Sequence, residues 1–159
     1  MALAIERAPA RRISAASYLE TAVVIDASRD PIASRRFDEL VDVAELRIEP
    51  VTYDQARIAR DAYRDFGKGS GHKAGLNFED CFAYALAKST GEALLFKGND
   101  FSQTDITPAL PLAVTRHHTA GRSAWYQQRL TCKRIHRSVC LVPGNVQARH
   151  AYPTHRQQA

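Results

Sequence analysis

The chain lacks the features of secreted and membrane proteins. Its three cysteines are an odd number without the spacing of a disulfide framework, which favours free thiols in a reducing compartment. No apolar run approaches the roughly 20 residues that cross a bilayer. The N-terminal stretch also lacks the basic-then-apolar order of a secretory signal. We therefore expect a cytoplasmic protein that has no transmembrane helix and does not act at a membrane.

Acidic residues are missing from the last third of the chain. No Asp or Glu follows Asp105, whereas eight of the 22 Lys and Arg lie beyond it. The remaining 14 basic residues stand against 17 acidic ones, so the net charge of +5 comes from a basic tail on a mildly acidic body. Such a tail is typical of a nucleic-acid-binding arm or of unselected sequence. We favour the second, because the tail contains no ordered basic motif.

Two ligand motifs are incomplete. Cys132, His136 and Cys140 recur every four residues and would share one face of a helix, and zinc binds both residue types. Their spacing matches no common zinc site, which disfavours a metal there. The glycine-rich loop at 67–75 lacks the G-K-[ST] ending of a nucleotide phosphate loop and does not follow a buried strand.

The body alternates helices with short apolar strands. Helix starts are predicted from capping residues at Ser14 or Ser17, at Asp30-Pro31, at Thr52 with Gln55, and at Asn77. Leu46–Glu49 and Ala93–Phe96 are predicted strands, the second buried on both faces. This alternation favours an α/β fold with a mainly parallel sheet. We expect Ala93–Phe96 to pair in parallel with Leu46–Val51 or with residues near Ile13.

Three carboxylates stand where an α/β fold can gather a site. Glu20 lies in the first helix, Asp80 in the first turn of the fourth, and Asp100 after the last strand. Carboxylates grouped there can hold Mg²⁺ or Mn²⁺ for phosphodiester cleavage. Each also has a structural alternative. Glu20 can be a solvated helix acid, Asp80 a partner of the helix dipole, and Asp100 a turn residue.

Four blocks resemble the VapC toxin type of PIN-domain ribonuclease. They occur in family order and at family-like separations across about residues 3–108. Their sequences are RRISAASYLETAVV, FGKG, GLNFEDCFAYALA and LLFKGNDFSQTDI. The resemblance implies a PIN-like three-layer α/β fold at 1–108, followed by an irregular tail at 109–159. It also implies metal-dependent RNA cleavage, a cognate antitoxin and a homodimer.

The resemblance also assigns residues. It implies that Glu20, Asp80 and Asp100 are the catalytic, metal-binding acids for Mg²⁺ or Mn²⁺, with Asn99 or Asp105 as alternatives near the last of these. Candidate phosphate contacts are more numerous, and for any single one a solvated surface position is the commoner role. They are Arg11, Arg12, Lys68, Lys73 and Lys97.

The chain departs from the family at two places. The family opens with a strand bearing a V-D-T-S-A-like segment, whose aspartate is the first metal ligand, and nothing like it precedes Arg11. Glu79 stands where the family usually has glycine, and it adds charge beside Asp80. We expect weak RNA cleavage or none, and recovery when a strand bearing the segment is restored. The alternatives are a non-catalytic protein that retains antitoxin or dimer binding, and a non-functional gene remnant.

A sheet without that strand leaves helix faces poorly covered. We expect apolar side chains such as Leu19 and Val23 to be partly exposed, and the purified chain to self-associate or aggregate unless a partner covers them. Size-exclusion chromatography with light scattering and thermal unfolding measure this. A monomer that unfolds cooperatively would contradict the expectation.

Overall fold

The computed structural model describes Ile5, residues 8–110 and the backbone of residues 142–143. The rest of the tail lies outside the described residues, and so do Cys132, His136 and Cys140. The described elements follow one another as β1 (Arg11–Ser14), α1 (Ala15–Asp26), α2 (Pro31–Val43), β2 (Arg47–Glu49), α3 (Tyr53–Phe66), α4 (Phe78–Thr90), a 3₁₀ turn (Phe101–Gln103) and β3 (Val142–Pro143).

β1 is the middle strand of the described sheet. It pairs in parallel with β2, Ile13 opposite Ile48, and antiparallel with β3, Arg12 opposite Val142. The chain reaches β2 through α1 and α2, as a parallel connection requires. The predicted α/β organisation is confirmed. The short β3 also places two residues of the basic tail in the sheet.

The predicted helix starts are confirmed at each cap. Ser14, rather than Ser17, caps α1 and accepts from the amide of Ala16, while Ser17 is fully buried. Asp30 caps α2, with Pro31 in its first turn. Thr52 and Gln55 form a capping box at α3. These contacts satisfy amides that the first helical turn leaves unpaired.

α4 lies at the centre of the hydrophobic core. Six of the seven residues at 81–87 are buried. α3 packs against this helix through Ala59 and Ala62. The small alanine side chains on both helices let the two backbones approach closely. Leu76, Leu94 and Phe101 close the core from the segments before and after α4. The helix ends at Gly91, whose left-handed backbone is one that glycine adopts without strain.

Ala93–Phe96 differs from its predicted pairing. Leu94 and Leu95 are buried, as expected, but the described partner of Leu94 is Pro108 rather than β1 or β2. The Leu94 amide donates to the Thr107 carbonyl (2.9 Å), and the Ala109 amide donates to the Leu94 carbonyl (2.8 Å). Pro108 has no amide hydrogen, so its neighbours supply the backbone partners. The Leu94–Pro108 contact is an isolated bridge, and Leu95 beside it is also in a bridge.

The outer faces of α1 and α2 expose apolar side chains. Leu19 and Val23 are 61% and 56% exposed, which confirms the expectation for α1. Ile32, Leu40 and Val43 are exposed on α2, while Tyr18 of α1 stacks on Phe37 of α2. Among the described residues, no helix is long and apolar enough to cross a membrane.

The core position of α4 predicts unequal costs for two leucine truncations. Leu86 is buried in α4 and Leu19 is exposed on α1. We expect Leu86→Ala to lower the free energy of unfolding by about 2–5 kcal/mol, because it leaves a cavity. Leu19→Ala should cost less than about 1 kcal/mol. Urea unfolding measures both, and equal losses would contradict the assigned core.

Candidate active site

Asp80 is fixed at the start of α4 by a reciprocal pair of hydrogen bonds. The Asp80 amide donates to the Asn77 side-chain oxygen (2.7 Å), and the Asn77 amide donates to the Asp80 carboxylate (2.8 Å). The sequence predicted Asn77 as the cap but missed the return contact from Asp80. The spacing N-x-x-D carries that signal. Asp80 is thus held in one position, with only 4% of its surface exposed.

Glu79 is buried beside Asp80. Its exposed fraction is 7%, and neither carboxylate is without a partner. The start of a helix favours negative charge, because the positive end of the helix dipole and the unpaired amide groups of the first turn are located there. Burial and, secondarily, the charge of Asp80 raise the pKa of the Cys81 thiol to about 11, so this thiol is protonated at neutral pH.

Glu20 and Asp100 are both exposed to solvent. Glu20 lies on α1, which packs against α4, and Asp100 immediately precedes the 3₁₀ turn. The Asp100 side chain makes no capping hydrogen bond to that turn. The turn is held by buried Phe101, whose ring packs against Phe96 at a centroid distance of 5.3 Å. Asp100 therefore does not serve as a side-chain cap here.

The three acids offer oxygen ligands, the type that Mg²⁺ and Mn²⁺ prefer. Among the described residues, however, no group of three or more His, Cys, Asp or Glu side chains is arranged to hold a metal ion. The donor chemistry of Glu20, Asp80 and Asp100 fits a divalent cation, and their arrangement does not yet form a complete site. Their joint role stays a prediction.

The side chain of Asp105, the alternative to Asp100, binds other side chains of the protein. Its carboxylate accepts from the Lys88 ammonium (2.7 Å) and the Tyr84 hydroxyl (2.7 Å), both on α4. These hydrogen bonds, the one from Lys88 first, lower the pKa of Asp105. Burial and the same contact raise the pKa of Tyr84, which stays a neutral donor. Asn99, the other alternative, is engaged through its backbone carbonyl, which accepts from Ser102 (2.6 Å).

The two arginines of β1 bind protein groups. Arg12 pairs with Glu49 on β2 (2.8 Å) and with Glu92 after α4 (3.4 Å), and so links three segments. Arg11 donates to the backbone carbonyls of Ala44 (2.8 Å) and Ile5. Removing one partner of a partly buried ion pair or hydrogen bond of this kind is destabilising, so the folded state depends on both arginines. The assignment of Arg11 and Arg12 as phosphate contacts stays a prediction. Their hydrogen bonds and ion pairs with protein groups favour a structural role.

The three predicted lysines are exposed. Lys68 and Lys73 lie on the glycine-rich loop that leads into α4, and Lys97 follows the Leu94–Leu95 segment. The loop is closed at its base, because the Lys68 amide donates to the Leu76 carbonyl and the Leu76 amide to the Phe66 carbonyl, both 2.9 Å. Leu76 directly precedes Asn77, so the closed base of the loop leads directly into the Asn77 cap that holds Asp80.

Comparison with known proteins gives consistent matches. The PIN domain family matches residues 2–106. The chain is 59% identical over 107 residues to ribonuclease VapC28 of Mycobacterium tuberculosis, an alignment covering 67% of this chain and 80% of that protein. Ribonucleases VapC42 and VapC30 of the same species are 50% and 51% identical, over 67% and 68% of this chain and 81% and 82% of their own lengths. The chain belongs to the VapC family of PIN-domain ribonucleases.

Proposed function

We propose that this protein is a metal-dependent endoribonuclease of the VapC type. The observation that carries the proposal is the 59% identity to a VapC ribonuclease over 107 residues. The PIN-domain match at residues 2–106 includes all three proposed acids. The buried, doubly hydrogen-bonded Asp80 supports it from the structure. A carboxylate fixed by the backbone keeps its geometry when a ligand arrives, and such preorganisation favours catalysis.

Asp80 is the central metal-binding acid in this proposal, and Glu20 and Asp100 complete the set. The proposal requires the two exposed acids to approach Asp80 around Mg²⁺ or Mn²⁺. When bound, the ion would activate the attacking water and offset the charge that develops on the phosphate. The protein's own contribution is to hold Asp80 still through Asn77. Glu79 places a second buried carboxyl group next to Asp80 in the first turn of α4.

A protein antitoxin is the second proposed partner. The exposed apolar side chains of α1 and α2 support it, since large apolar side chains gathered on a surface commonly mark a protein-binding site. An antitoxin segment that covered Leu19 and Val23 on α1 together with Ile32 on α2 would bury side chains that are all more than half exposed. A second copy of the chain is the competing occupant. A non-catalytic binding protein would retain this surface.

RNA cleavage by the purified chain tests the enzymatic proposal. A structured RNA is incubated with Mg²⁺ or Mn²⁺ and either this chain or the chain preceded by a strand bearing the D-T-S-A segment. We expect weak cleavage by the first and stronger cleavage by the second. Asp80→Asn should lower the rate at least about 100-fold in the stronger form, since even groups that support a metal ligand are worth 10- to 100-fold.

Asp80→Asn removes the carboxylate charge while keeping the hydrogen bond to the Asn77 cap. Asparagine still offers an oxygen to the Asn77 amide, so α4 should keep its start, which thermal unfolding checks. Asp54→Asn is the matched control, because Asp54 is an exposed acid in the first turn of α3. Metal-independent cleavage, equal cleavage by Asp80→Asn, or no cleavage by either form would overturn the proposal.

A further inference from the structure

The glycine-rich loop between α3 and α4 is held firmly at its base. Besides the paired backbone contacts of Phe66, Lys68 and Leu76, Gly67 packs directly on α3. A Cβ atom there would lie 2.2 Å from the Tyr63 carbonyl oxygen, so only glycine fits. Leu76 is completely buried at the other end. The loop therefore projects from a fixed base that continues directly into the Asn77–Asp80 cap.

His72 has a defined orientation on this loop. Its Nδ1 accepts from the Ala74 amide (3.2 Å), and its ring meets the Phe66 ring edge-on, with centroids 5.0 Å apart and planes at 74°. Phe66 in turn packs on Tyr84 of the core. Because Nδ1 is an acceptor, the neutral imidazole carries its hydrogen on Nε2. No group of the described residues forms a hydrogen bond with Nε2. The residue is exposed, so Nε2 is accessible to a ligand.

The loop is positively charged and has little apolar surface. Residues 67–75 include Lys68 and Lys73 and contain no Asp or Glu. Within the described part of the chain, neither lysine forms an ion pair with a carboxylate. Ala74 is buried, so the exposed side chains of the loop are polar. Protein partners are usually anchored by buried apolar or aromatic groups, whereas nucleic-acid backbones are held by cations and neutral donors.

We propose that this loop binds the phosphate backbone of the RNA substrate, and that His72 donates its Nε2 hydrogen to a phosphate oxygen. Lys68 and Lys73 supply the accompanying charge. The identity of the substrate rests on the proposed function, and the role of His72 is added to it. Since the loop base continues into the cap of α4, a phosphate bound here is held in a fixed relation to Asp80. His72 is a substrate-contacting residue in this arrangement.

Three substitutions separate the two ring nitrogens. Glutamine places an amide donor near the position of Nε2, whereas asparagine places an acceptor near that of Nδ1, and alanine removes both. Binding of a fluorescein-labelled RNA hairpin is measured by anisotropy with the full chain in EDTA, so that no metal-dependent cleavage occurs. We expect His72→Ala and His72→Asn to weaken binding about fivefold, the typical cost of one lost hydrogen bond, and His72→Gln to stay within about twofold.

The opposite pattern identifies a structural role. Rescue by asparagine and not by glutamine would mean that the contact with Ala74 matters, and would overturn the proposal. Unchanged binding in all three variants, or equal loss in all three, would also overturn it. Binding in EDTA does not depend on cleavage. Rescue by glutamine in a chain that cleaves no RNA would therefore uphold the loop assignment while the endoribonuclease proposal fails.

The lysines are tested by the salt dependence of binding. Lys68→Gln and Lys73→Gln should each reduce the slope of log Kd against log salt by about one, because each removes one phosphate contact. Arg57→Gln is the control, since Arg57 is an exposed cation on α3 outside the loop. Unchanged slopes would overturn the proposal. Poly-glutamate that competes as well as RNA, with the same dependence on His72, would assign the loop to an acidic peptide instead.

Discussion

Both the start of α4 and the position of the proposed metal-binding carboxylate depend on the contact between Asn77 and Asp80. It begins α4, which contributes more buried residues to the core than any other described element, and it fixes a buried carboxylate at the same time. Burial of an acid normally costs free energy unless hydrogen bonds or opposite charges compensate it. Here the Asp80 carboxyl group accepts a hydrogen bond from the backbone amide of Asn77 and lies in the first turn of α4, which offsets part of that cost. One local motif therefore serves the fold and the proposed chemistry.

The charged side chains near this contact are of two kinds. Some form ion pairs with other protein groups, and others are exposed on a loop without a described carboxylate partner. Arg12, Lys88 and Asp105 hold strands and helices together and are engaged by specific partners. Lys68 and Lys73 are exposed on a loop whose base is rigid. The division places fold-stabilising ion pairs around the core and leaves the loop charge available to a polyanion. The apolar surface of α1 and α2 is distinct in chemistry and fits a protein partner.

Local signals explain what the sequence predicted well. Caps at Ser14, Asp30, Thr52 and Asn77 depend on contacts within three residues, so they can be read from the chain directly. The pairing of Leu94 with Pro108 and the ion pairs of Arg12 with Glu49 and Glu92 join distant segments. No local pattern specifies such partners, so Arg12 resembled a surface cation. The orientation of His72 depends on ring packing, which sequence does not encode at short range.

The central claim is that Asp80 is both the capping-box partner of Asn77 and a metal-binding acid. Direct measurement of Mn²⁺ affinity by isothermal titration calorimetry tests it without reference to RNA. The account predicts that Asp80→Asn weakens Mn²⁺ binding at least about tenfold while the unfolding temperature stays near that of the unsubstituted chain. Asp54→Asn should change neither. Equal Mn²⁺ affinity in the unsubstituted chain and in Asp80→Asn would leave Asp80 only the structural role of partner to the Asn77 cap and would contradict the account.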